Sequence, residues 1–276
     1  MTHEGVSWAR IMAPVVGGDA DDAVLQAASN LARPFGAEVA AVYSPTDVAE
    51  IMPWMGEGFM GGVQVTAIET LKEAAAEGER TARARFEAFD YERKQFVALS
   101  SPVWASLAME GRLADLVVFD AAAARGRGPL ADSFQQIVAT EQRPTLVARG
   151  SGEVLGCVAV AWDGGKEASR AARTALPLLQ KAGRVVILAA PEASSRAFEP
   201  ERLAHFFAAR GVQAQVRVLA GTSDPAHLLL RAAHDETADL LVAGAFGHPR
   251  LREFIFGGVT RALLSAEDGP SLFLSH

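Results

Sequence analysis

The chain has 276 residues, half of them apolar, and a net charge of −7 with its basic residues scattered along it. That balance argues against a nucleic-acid surface, which needs clustered Lys and Arg. There is no run of eighteen apolar residues to suggest a membrane span. The opening "MTHEGVSWAR" has no apolar core and no small-residue cleavage pattern, so a cytoplasmic protein is expected.

Taken in chain order, the first clear pattern is "IMAPVVGGDADDAVLQAASNLARPFGAEVAAVYS" from Ile11. It returns without a gap, 147 residues later, as "VAVAWDGGKEASRAARTALPLLQKAGRVVILAAP" from Val158, so that Gly17 and Gly18 fall on Gly164 and Gly165. The acids after Gly18 read as the negative start of a helix. Next comes "IMPWMGEGFMGG" (Ile51 to Gly62), where Met and aromatic residues among glycines suit an adaptable apolar contact: a lid, a subunit interface, or burial against the following helix. That helix, Val63 to Phe89, is long for a globular domain and is expected to be able to reach a partner subunit. "ADLVVFD" from Ala114 and "PTLVA" from Pro144 return as "ADLLVAG" from Ala238 and "PSLFL" from Pro270. The chain is therefore expected to be a duplication, with domains 1–150 and 151–276 joined near "ARGSGEV".

In the second domain, "CVAVAW" is an apolar run of buried-strand length, with Cys157 as a packed residue. A helix from Lys166 follows, with Pro177 bending it and Gly183 as its C-terminal cap. "RVVILAA", a helix ending at Gly211, and the alternating "VQAQVRVL" come next. A helix capped by Ser223 or Asp224 leads to the strand "ADLLVA", a last helix at "FGGVTRALLSA" and the strand "SLFLS". Strand and helix in alternation imply an α/β fold with right-handed crossovers and a parallel sheet. Ligands of such sheets sit at the carboxyl ends of the strands, where the winding reverses.

Two stretches occupy that position. Asp163 follows the first strand of the second domain, and its carboxylate can accept hydrogen bonds from ribose hydroxyls or an adenine amine. Gly244 and Gly247 follow the fourth strand and spare a ligand any contact with Cβ atoms. Gly257 and Gly258 open a helix whose free N–H groups favour an anion, with Arg250 in the loop to supply charge.

Gly244, Gly247 and Gly257 stand at the spacing Gly, two residues, Gly, nine residues, Gly. With Asp163 and the duplication, the chain resembles the tandem universal stress proteins over nearly its whole length. The resemblance implies two tandem Rossmann-like (adenine nucleotide alpha hydrolase-like) domains, each with a five-stranded, mainly parallel sheet flanked by helices. It also implies a stress-response protein that holds ATP, ADP or AMP in its second domain. Ala161 and Ala190 would then offer backbone to adenine and Asp163 would meet the ribose or base. Gly257, Gly258, Val259 and Thr260 would cradle phosphate, with Mg²⁺ only alongside ATP. Trp162 stands beside Asp163, either to stack on a base or to block it. Gly258 departs from the pattern, which has Ser or Thr there; Thr260 substitutes if its hydroxyl faces the loop.

The first domain lacks these features. Asp120 stands over Gly244, Val16 over Asp163, and Ala131 with Asp132 over Gly257 and Gly258, so phosphate binding is not expected there. Catalytic motifs are thin too: no Ser occupies a nucleophile elbow, and His3, His205, His227, His234, His248 and His276 show no metal-ligand spacing. Three readings follow: a nucleotide binder without dedicated catalysis, a slow ATPase, or a ligand-free interaction module. By the family resemblance, "TLVA" and "SLFL" pair across a pseudo-twofold axis within the chain. A homodimer through the Met-rich insertion is expected as well.

Overall fold

The computed structural model describes residues 7–45, 61–99, 103–150, 154–189, 199–221, 224–245 and 258–276. The first half runs β1 (Arg10–Val15), α1 (Ala20–Ala32), a 3-10 turn (Arg33–Phe35), β2 (Glu38–Tyr43), α2 (Gly61–Ala88) and β3 (Lys94–Ala98). It continues with α3 (Val103–Gly111), β4 (Leu116–Asp120), the one-turn α4 (Ala121–Ala124), α5 (Ala131–Ala139) and β5 (Thr145–Ala148). The second half runs β6 (Cys157–Trp162), α6 (Lys166–Thr174), the one-turn α7 (Leu176–Leu179), β7 (Arg184–Ala189) and α8 (Pro200–Ala208). Then come β8 (Ala214–Val218), α9 (Pro225–Asp235), β9 (Leu240–Gly244), α10 (Gly258–Ser265) and β10 (Ser271–Ser275).

These strands form one ten-stranded sheet in the order β3-β2-β1-β4-β5-β10-β9-β6-β7-β8. All neighbours are parallel except β5 and β10, which meet antiparallel with Phe273 opposite Leu146. The two halves thus join edge to edge, as the paired "TLVA" and "SLFL" predict, and each covers an edge the other would leave open. The repeat persists in the register. Ile11 pairs with Val39 and Val158 with Val186, at the same offset of 147 on both strands. Ile11 also faces Leu116, and Val158 faces Leu240.

The repeated "AD" has a physical role. One carboxylate oxygen of Asp115 accepts the N–H groups of Ala9 and Arg10, at 2.6 and 3.0 Å. Asp239 accepts that of Cys157 at 2.7 Å. Each acid holds the start of its central strand beside the next strand, which fixes where that strand's other end emerges.

Apolar side chains on both faces account for the uninterrupted character of the strands. Ile11, Val39, Leu146, Val158, Trp162, Phe207 and Phe273 belong to one buried layer. Met12, Phe119, Phe134, Ala159, Leu241, Leu264 and Leu272 belong to the other. Each layer runs across both halves. The outermost strands β3 and β8 are half-exposed, as the alternation of "VQAQVRVL" predicts.

Two local expectations are corrected. The helix after β6 stops at Thr174 and resumes for one turn from Leu176, with Pro177 near the start of that turn. Gly183 is not its cap. Its N–H donates to the Leu155 carbonyl at 2.8 Å, and a β-carbon there would lie 2.8 Å from the Gly156 oxygen. Close approach of two backbones explains this glycine, whereas its counterpart Gly36 is a true left-handed cap at φ 60°.

Candidate functional site

β6 lies between β9 and β7, so the chain leaves β6 and β9 toward opposite faces of the sheet, and a crevice opens at their carboxyl ends. Val160 pairs with Val242. Two residues further along each strand, Trp162 and Gly244 reach that edge together, with Asp163 next to them.

Asp163 is exposed. One of its carboxylate oxygens accepts the N–H of Gly165 at 2.7 Å across a turn in which Gly164 takes φ +72°. Gly165 is the N-cap of α6. The turn therefore aims both an acid and a helix start at the crevice.

Gly244 ends β9, and a β-carbon on it would lie 2.6 Å from the Glu167 carbonyl carbon and 2.7 Å from the Ala168 nitrogen. The space it leaves is taken by α6 itself, whereas the sequence pattern suggested space for a ligand. This glycine lets the helix start close against the strand end and narrows the crevice.

Alternation along β6 separates Ala161 from Trp162. Ala161 packs on the face covered by α9 and α10. Trp162, 7% exposed, belongs to the layer under α6 and α8. Its ring therefore lies on the α6–α8 face of the sheet, where the sequence suggested stacking on a base or blocking one.

Gly258 begins α10, and none of the described residues lies within 4 Å of where a β-carbon would stand. Val259 is exposed and Thr260 is only 5% exposed; the loop that its hydroxyl would have to face lies outside the described residues. Ala190, Gly247, Arg250 and Gly257 lie outside the described residues, as does the segment 51–60.

The far end of α10 is held by the first half. Arg149 donates to the carbonyls of Leu263 and Leu264, at 2.7 and 3.2 Å, and Arg125 donates to that of Ala266 at 2.8 Å. Cations at a helix C-terminus satisfy its orphan carbonyls and offset its dipole. Burial, with some repulsion from Arg125, pushes Arg149 down to about 10, which leaves it charged at neutral pH. No local pattern marks this contact, because Arg125 and Leu264 are 139 residues apart.

His276 follows Ser275, whose partner in the sheet is Gly244. Burial pushes its imidazole below the ordinary range; Arg170 and Lys166 push the same way and Glu167 opposes. Among the described residues no group of three or more His, Cys, Asp or Glu is arranged to hold a metal. No helix among them is long and apolar enough to cross a membrane.

The matching place in the first half is closed. α2 crosses over the β1–α1 turn, where Gly17 takes φ +82° and a β-carbon would collide with Gly78. A β-carbon on Gly78 would in turn lie 2.7 Å from the Tyr43 hydroxyl, which donates to the Ala75 carbonyl at 2.7 Å. Asp21 accepts the N–H groups of Val16 and Gly17 at 3.1 and 2.8 Å. Arg85 of α2 bridges to Asp19 at 2.6 Å and to Asp22. A cavity of about 160 Å³ lies beneath the helix. Asp120, expected to repel phosphate, caps α4 by accepting the N–H of Ala123 at 2.7 Å.

A family model, described as the universal stress protein family, matches residues 157–270. Those residues form a universal stress protein domain. The first half repeats its strand order and register, so the chain has the tandem arrangement. A universal stress protein from Archaeoglobus fulgidus DSM 4304 superposes with a TM-score of 0.68 at 14% identity, covering 96% of this chain and 95% of that one. A protein of unknown function from Pseudomonas aeruginosa PAO1 gives 0.56 at 12% identity, covering 97% and 92%. At these identities the likeness speaks for the fold. No curated protein sequence matches the chain.

Proposed function

We propose that the chain, divided into domains 1–150 and 151–276, binds one adenine nucleotide in its second domain, without dedicated catalysis. The carrying observation is the contrast between the two crevices. In the second half, exposed Asp163 stands at the carboxyl edge of β6, and Gly258 opens α10 with none of the described residues within 4 Å of its β position. In the first half, α2 and its ion pairs fill the same place. Asp163 would accept from a ribose hydroxyl or the adenine amine, beside the backbone of Ala161 and Ala190. The N–H groups at the start of α10 and its glycine loop would receive phosphate, with Arg250 adding charge. Mg²⁺ would enter only on ATP. A nucleotide-dependent change in assembly in the cytoplasm, between two copies of the chain, would then couple binding to a stress response.

The test is an equilibrium titration of ATP, ADP and AMP into the pure protein, with phosphate release followed in parallel. Saturable binding that is lost in Asp163→Ala, with no phosphate released above buffer, is expected. Phosphate release that scales with protein would instead favour the slow ATPase. Absence of binding by all three nucleotides would leave an interaction module.

A further inference from the structure

We propose that the groove between α6 and α8 binds an amphipathic organic anion: one carboxylate on an aliphatic or aromatic body. The groove encloses about 700 Å³, within the range of small-molecule sites. Its floor is apolar, made by Trp162 and Leu203, 7% and 5% exposed, with the half-buried Phe206 beside them. Its rim is cationic. Among the described lining residues, α6 contributes Arg173 and the α8 side contributes Arg210, with Arg202 and His205 also there and Glu201 as the acid. The Arg210 guanidinium lies 3.7 Å from the Phe206 ring centre, which holds it at the edge of the apolar floor.

The duplication supplies an independent reason to expect an anion. In the first half the same seam is closed by opposite charges, because α1 presents Asp19 and Asp22 to Arg85 of α2. Their counterparts at the offset of 147 are Lys166 and Ser169, and the facing helix carries arginines. Each wall of the seam therefore carries an arginine, Arg173 on one and Arg210 on the other, while Lys166 is ion-paired to Glu167 at 3.3 Å. A carboxylate seated between these walls would accept from their guanidinium groups. Trp162, whose counterpart is Val15, provides the flat apolar surface that the first half lacks. A chain of net charge −7 that sets Arg173 and Arg210 beside a buried indole has a local preference opposite to its overall one.

The probe is dodecanoate, with dodecanol as the uncharged control, titrated calorimetrically into the full-length protein. One dodecanoate per chain is expected, with dodecanol at least about tenfold weaker. Arg173→Glu, an exposed change, should weaken dodecanoate by about tenfold or more at unchanged Tm. Arg210→Gln should act in the same direction, which covers a folding failure in the first variant. Asp163→Ala should leave dodecanoate binding unaltered, which separates this groove from the nucleotide site. Equal affinity for acid and alcohol, or full binding by both folded arginine variants, would overturn the proposal. So would the absence of dodecanoate binding.

Discussion

Gly17 and Gly78 touch backbone to backbone across 61 residues of sequence, and neither could carry a side chain without a collision. This contact seats α2 over the β1–α1 turn and closes the first crevice. Gly17→Ala would place a β-carbon against Gly78 and force a left-handed residue other than glycine. A loss of at least about 2 kcal/mol in unfolding free energy is expected, read from urea denaturation. The same change at Gly126, also left-handed but with none of the described residues within 4 Å, should carry only the conformational part. Equal losses at both positions would remove the packing role of the Gly17–Gly78 contact.

Gly258→Ser adds a hydroxyl where none of the described residues lies within 4 Å, at a helix start that tolerates serine well. The protein should be as stable as before. ATP affinity should rise roughly 10- to 100-fold, the worth of one hydrogen bond to a charged group. AMP should gain less than ATP if the hydroxyl meets the outer phosphates, and the comparison of the two titrations reads this directly.

Arg149 ties the first half to the last helix of the second. Arg149→Met strips two carbonyls of their donor and should cost about 1–3 kcal/mol. Hydrogen exchange should quicken across α10 while β1 and β2 stay protected. Unchanged exchange in α10 would show the helix to be held without this arginine.

Asp21 gives a pH dependence whose sign can be stated. Burial pushes its carboxyl above the ordinary value of 3.8, although the N–H groups of Val16 and Gly17 pull the other way. The folded protein then holds this proton more tightly than the unfolded chain, so its contribution to stability declines as pH rises from 3.8 through the raised value. Asp21→Asn removes the titration. The unfolding free energy of the natural protein minus that of the variant should therefore fall as pH rises from 3.8, and a rising difference would contradict this assignment.

The sequence made the duplication legible because registers repeat: an offset of 147 on both β1 and β2 is visible as letters and reappears as paired strands. The intrachain edge pairing was legible for a similar reason, since two short apolar strands at matching places need cover. What escaped are contacts between residues far apart in the chain. Gly78 lies in a helical pattern where glycine reads only as a weak point, and nothing nearby points to Gly17 or Tyr43. Gly244 read as room for a ligand because the local sequence cannot show that α6 claims the space. Trp162 stood next to Asp163 in the sequence, but strand alternation sends it to the α6–α8 face.

Photolabelling with 8-azido-ATP, followed by mapping of the modified peptides, tests most directly that one crevice is open and the other closed. ATP-protected label confined to residues 154–276, and lost in Asp163→Ala, is the expected result. Protected label on peptides of β1 or β2, or label that Asp163→Ala leaves intact, would contradict it.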